Sequence, residues 1–162
     1  MSRRSLGTLA VASLGALALA GSPGPLAPST IRIGWTHGVW ELPWGPQNGY
    51  VDGYFYQRTT NPTPTPPPVF HFTATLIEAP VACPSCIAGY VQGVLDDGVG
   101  TTPDYFVSGH YYGSFSNGSG TFTANIFEPT SAAPVGSVSG NFSDPPLLPV
   151  LGRFDGKWLI RR

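Results

Sequence analysis

Cys83-Pro84-Ser85-Cys86 is the spacing in this chain that most directly offers chemistry. A C-x-x-C pair can hold half of a zinc site, cycle between dithiol and disulfide, or close a structural disulfide. The 162-residue chain has only 2 cysteines, so it cannot supply the second cysteine pair of a zinc knuckle. A thioredoxin-like pair opens a helix after a strand, whereas the residues that follow here, Ile87 to Leu95, alternate like a strand. The expectation is therefore a disulfide between Cys83 and Cys86 that pins a turn between two strands. Its loop is short, so its role is local turn geometry more than chain entropy.

Other reactive types are sparse. His37, His71 and His110 stand in neither H-x-H nor H-E-x-x-H spacing, so no metal and no cofactor is expected. His71 and His110 read as polar-face residues of strands. Asp96, Asp97 and Asp104 form an acidic turn that suits Ca²⁺ in principle, yet such turns are usually just solvated. Gly118-Ser119-Gly120 and Gly136-Ser137-Val138-Ser139-Gly140 place serines among glycines, but in hairpins and strands instead of a nucleophile elbow. No phosphate loop precedes a helix. The chain is read as noncatalytic.

Tyrosines are the better candidates. Tyr50 and Tyr54 share one face of a strand, Tyr90 belongs to another, and His110 and Tyr112 to a third. All lie opposite the apolar faces of their strands. If those strands are neighbours, the five side chains make an outer Tyr-rich binding patch, because Tyr joins apolar area to a hydroxyl. The competing reading covers this face with the segment that carries Trp35, Trp40 and Trp44.

The elements that position these residues are announced by one phrase, Gly-x-Φ-x-Gly-x-Φ, with Φ large and apolar. It occurs at Gly49–Phe55, Gly89–Leu95, Gly109–Phe115, Gly136–Phe142 and Gly152–Trp158. A period of two puts every named residue of a copy on one face of a β-strand. The opposite face reads Ser137, Ser139, Asn141 in one copy and Arg153, Asp155, Lys157 in another, so the glycine face is the buried one. Glycine there makes room for a closing sheet, and neighbouring aromatic rings can lie across the vacant positions. The alternative is that the glycines line a ligand cavity. Spacings of 40, 20, 27 and 16 residues between copies exclude a solenoid of fixed period.

The fold expected is all-β: an antiparallel meander of about eight strands, closed as an up-and-down barrel or left as a strongly coiled half-barrel. A two-sheet sandwich is the alternative. Ile31–Trp35 and Val39–Leu42 read as separate first strands. Asn117-Gly118 reads as a hairpin turn, and residues 59–68 as an exposed Pro-rich loop. Gly156-Lys157-Trp158 resembles the Gly-x-Trp phrases of lipocalin- and streptavidin-like barrels. The likeness covers three residues, and no biotin- or lipocalin-specific motif accompanies it.

The chain begins with the pattern of a secretory signal over residues 1–20. Arg3 and Arg4 precede the uncharged run Leu6 to Ala20, which ends in Ala18-Leu19-Ala20. Cleavage after Ala20 would leave residues 21–30 as a disordered segment ahead of a single domain over 31–162. The product is expected to be secreted, periplasmic or cell-surface. Removing Arg3 and Arg4 leaves 6 of the 8 basic residues against 9 acidic ones, a net charge of about −3. That balance excludes nucleic acid as the expected partner, and no later stretch could span a membrane as a helix. The expected partner classes are cell-surface polysaccharide and protein. A small-molecule carrier barrel is the first alternative function, and a secreted hydrolase the second.

Overall fold

The computed structural model describes residues 30–41, 48–59, 66–114, 118–143 and 151–162. Eight strands run in chain order: β1 (Ile31–Glu41), β2 (Gly49–Gln57), β3 (Phe70–Glu78), β4 (Cys86–Asp96), β5 (Tyr105–Ser114), β6 (Ser119–Phe127), β7 (Pro134–Ser143) and β8 (Gly152–Arg161). Each pairs antiparallel with the next, and β8 returns to β1, which closes an up-and-down barrel. The half-barrel and sandwich are thereby excluded. The signal segment, the 21–29 segment, Trp44, most of the Pro-rich loop and Asn117 lie outside the described residues.

One expectation is corrected. Ile31–Trp35 and Val39–Glu41 are one strand and not two, since β1 runs unbroken through Thr36, His37 and Gly38; Leu42 lies outside the described residues. Gly34 and Gly38 look like breaks in the sequence, but each sits against an aromatic residue of β8. Gly34 pairs with Trp158 and Gly38 with Phe154.

The registers set the width of the barrel. Following partners once round from Trp40 leads through Val51, Ala74, Gly93, Val107, Ile126, Gly136 and Ile160 to Arg32, eight residues before the start. A shear of eight on eight strands tilts them by about 36° and leaves an interior that side chains can fill. The interior side chains then form levels of four, contributed alternately by odd and even strands. From the Gly49 end, the levels begin with Gly49, Gly89, Gly120 and Gly152, followed by Trp40, Leu76, Tyr111 and Phe142, then Val51, Val91, Phe122 and Phe154. Two small levels come next: Gly38, Ala74, Gly109 and Gly140, and Gly53, Gly93, Ala124 and Gly156. Below them lie Thr36, Phe72, Val107 and Val138, then Phe55, Leu95, Ile126 and Trp158.

This layering explains the repeated phrase. Each glycine level is a waist into which rings from adjacent levels lean. Trp40 pairs with Gly152, Tyr111 with Gly89, Phe142 with Gly120, Phe122 with Gly140, and Phe72 with Gly53. A Cβ built on Gly53 would lie 2.6 Å from Cζ of Phe154, and one on Gly34 2.6 Å from Nε1 of Trp158. Aromatic cover of a strand glycine removes the void that glycine leaves.

The vacant Cβ positions also let indoles reach backbone. Nε1 of Trp158 donates to the carbonyls of Trp35 and Tyr56, both at 3.1 Å, and Nε1 of Trp40 donates to that of Arg153 at 3.0 Å. Buried N–H groups are thus satisfied, as they must be. At the opposite end, Arg32 lies 5.1 Å over the ring of Phe70 and Arg162 lies 5.5 Å over that of Tyr105, whose hydroxyl accepts a hydrogen bond from Arg162 Nε at 2.7 Å. The two guanidinium groups cap the apolar interior there.

Candidate functional site

The lumen is the first place to look for a site, and it is nearly full. Among the described residues a void of about 40 Å³ lies near the waist, walled by Val51, Phe72, Val107, Ala124, Phe142 and Phe154 among others. Small-molecule pockets are typically about 300–1,000 Å³. This void is far smaller than such a pocket, and its apolar wall favours keeping it dry. On the inner face the glycines make room for the rings and strands packed against them.

Among the described residues, the one buried side-chain polar atom left without a hydrogen-bond partner is the Tyr111 hydroxyl. Burial, with the nearby charge of Glu78 adding to it, pushes this phenol up to about 12. Tyr111 is therefore neutral in any physiological medium.

The outer face carries the tyrosines. Tyr50, Tyr54, Tyr90 and Tyr112 are 42%, 41%, 57% and 56% exposed, and His110 is also exposed. They are not covered by the first strand. Trp40 points into the lumen, and Trp35 stacks on Tyr56 at 5.7 Å.

The five residues do not form one patch, however. Tyr90 pairs directly with His110, and Tyr112 lies one step along β5 from that pair. Tyr50 and Tyr54 are separated from them by β3, whose outward residues His71, Thr73 and Thr75 pair with Tyr54, Asp52 and Tyr50. The sequence could not show this, because adjacency depends on strand order.

Each group has its own support. Tyr54 stacks on His71 at 5.1 Å, and Nε2 of His71 lies 3.2 Å from Oδ2 of Asp52. Cys83 and Cys86 are joined in a disulfide with Cα atoms 5.3 Å apart, at the turn that leads into β4. The hydroxyl of Tyr112 reaches Sγ of Cys86 at 3.2 Å. Sequence reasoning missed a third aromatic group. His37 and Trp35 flank Tyr56, with His37 stacked at 4.8 Å, on the outer face of β1 and β2. The signal was present in Trp35-x-His37 opposite Tyr54-x-Tyr56, but only the β1–β2 register brings them together.

No family model matches this chain, and no curated protein or solved structure is similar enough to count as a match. The Gly-x-Trp likeness thus remains one of three residues.

Asp96, Asp97 and Asp104 do converge, with ligand atoms within 4.8 Å of one another. Their oxygens are engaged by the turn itself. Oδ2 of Asp104 accepts from the Asp97 amide at 2.8 Å, and Oδ1 of Asp96 accepts from the Gly98 amide at 2.7 Å. Gly98 and Gly100 have φ of 80° and 116°, left-handed values that favour glycine in a tight turn.

Proposed function

We propose that this chain is an exported, noncatalytic β-barrel module that binds a cell-surface partner, polysaccharide or protein, through its outer face. The observation that carries this reading is the contrast between a lumen with about 40 Å³ left in it and four outward tyrosines at least 41% exposed. Large exposed aromatic side chains are enriched where proteins bind partners. The carrier reading needs a lumen that side chains cannot fill, and the packed levels argue against it. The hydrolase reading rests on no motif in the sequence, and the His–carboxylate pair seen among the described residues, His71 with Asp52, stacks its ring on Tyr54.

The polarity of the wall bears on location. At mid-height the outward positions include Asp52, Thr73, Gln92, Ser108, Thr123, Ser139 and Lys157, while the inward ones are apolar apart from Thr36. An outer-membrane barrel has the reverse arrangement, an apolar band outside and a polar interior. The wall therefore supports a barrel that works in water. The signal pattern of residues 1–20 supports export.

Retention on host cell surfaces and on isolated polysaccharide tests the proposal. The variant carrying Tyr54→Ala with Tyr112→Ala should fold like the parent and be retained less. Unchanged retention would leave a purely structural module.

A further inference from the structure

The outward face of β5 to β8 and β1 carries a feature that the tyrosines alone do not reveal. One register row crosses it without interruption: Tyr90, His110, Thr123, Ser139, Lys157, Trp35 and Tyr56. The row has rings at both ends and short hydroxyl side chains in the middle. Two shallow depressions lie along it. The first, about 490 Å³, is lined by His110, Tyr112, Thr121, Thr123, Ser139 and Asn141. The second, about 450 Å³, is lined by Trp35, Arg58, Ser139 and Lys157 among others. They meet at Ser139. The trough they form follows the convex outer wall of the closed barrel from Tyr112 on β5 to Trp35 on β1, across four of the eight strands.

The two halves differ in charge. The first offers hydroxyls, an amide and an imidazole beside a phenol ring, and no carboxylate. The second brings two cations, Arg58 and Lys157, beside an indole. Both are exposed, and neither has an ion-pair partner among the described residues. Asp155 borders the trough on β8 but pairs in register with His37 and Asn141, not with either cation.

Resting on the partner-binding reading, we infer that this trough binds a glycan chain that carries carboxylate groups. Pyranose faces stack on Tyr112 and Trp35, sugar hydroxyls bond to Thr123, Ser139 and Asn141, and a uronate carboxylate sits between Arg58 and Lys157. Each contact follows from the chemistry of the lining. Aromatic faces suit the apolar face of a sugar ring. Neutral hydroxyls and amides match sugar hydroxyls. A carboxylate between two cations forms charge-assisted hydrogen bonds.

The probes are a short oligogalacturonate and its methyl ester, which share the sugar backbone and differ in the carboxylate charge and one methyl group per residue. Each is titrated calorimetrically into the full mature chain at low salt. The acid form should bind and the ester should bind at least about tenfold more weakly. Arg58→Ala with Lys157→Ala should remove that preference and leave ester affinity unchanged, whereas Tyr112→Ala should weaken both. Circular dichroism checks that the variants fold. Equal affinity for the two forms, or a preference that survives loss of both cations, overturns the uronate inference while leaving partner binding intact. Absence of binding by either form overturns it too, and the cell-surface retention test then decides the broader proposal separately.

Discussion

The hydroxyl of Tyr112 donates a hydrogen bond to Sγ of Cys86 at 3.2 Å, because a disulfide sulfur has no proton to give. Cys86 is the first residue of β4 and pairs with Ser114, two residues beyond Tyr112 on β5. The disulfide thus braces the ring that forms one wall of the trough.

Thiol labelling of denatured, unreduced protein should find no free cysteine. Replacing both cysteines by serine should lower stability by at most about 2 kcal/mol, since the closed loop is so short. Denaturant unfolding checks this. A loss well above that value would mean the bond holds more than its own turn.

The waist of the barrel should not tolerate side chains. Gly140 pairs with Gly156, and a Cβ on Gly140 would lie 2.5 Å from the Gly156 Cα, a backbone atom that cannot swing aside. Gly140→Leu should therefore destabilise by at least about 1–3 kcal/mol. Ser139→Thr, one residue away but outward, should be nearly neutral. Urea midpoints of the two variants measure the difference, and equal midpoints would contradict the inward assignment.

Much of the barrel was legible because a two-residue period is a property of one strand. Gly-x-Φ-x-Gly-x-Φ assigns inside and outside at Gly136–Phe142 without knowledge of any neighbour. Features that need two strands were not legible. The unbroken β1 depends on Trp158 and Phe154 covering Gly34 and Gly38 from β8, more than 100 residues away in sequence. The separation of Tyr54 from Tyr90 depends on β3 lying between them. The shear of eight is a sum over all eight registers and leaves no mark on any single segment. The trough is made of Thr123, Ser139 and Lys157, the residue types that merely mark a solvated face when read one strand at a time.

Export makes a prediction about mass. Cleavage after Ala20 should yield a mature chain that begins at Gly21, free of both Arg3 and Arg4. Intact-mass measurement of protein from the native host medium or envelope checks it. Secreted material that retains Met1 would show that residues 1–20 are not removed.

Tyr111 couples the packed interior to pH. Its phenol is pushed up to about 12 in the folded chain by burial first and by Glu78 second, from an ordinary value of 10.0. Between those values the unfolded chain has released the proton and the folded chain still holds it. Stability therefore falls as pH rises through that window, because the folded state binds the extra proton. Below pH 10 this contribution is fully present. Tyr111→Phe removes the titrating group and with it an unpartnered buried hydroxyl. Removing an unsatisfied polar atom without changing the ring should cost nothing near neutrality, and can stabilise by up to about 1 kcal/mol. Thermal melts of parent and variant at pH 8, 10 and 11 provide the comparison. The variant should match or exceed the parent at pH 8 and gain on it at pH 11, where the parent alone carries this alkaline penalty. Parallel melting curves across the series would mean that the Tyr111 phenol meets water in the folded state.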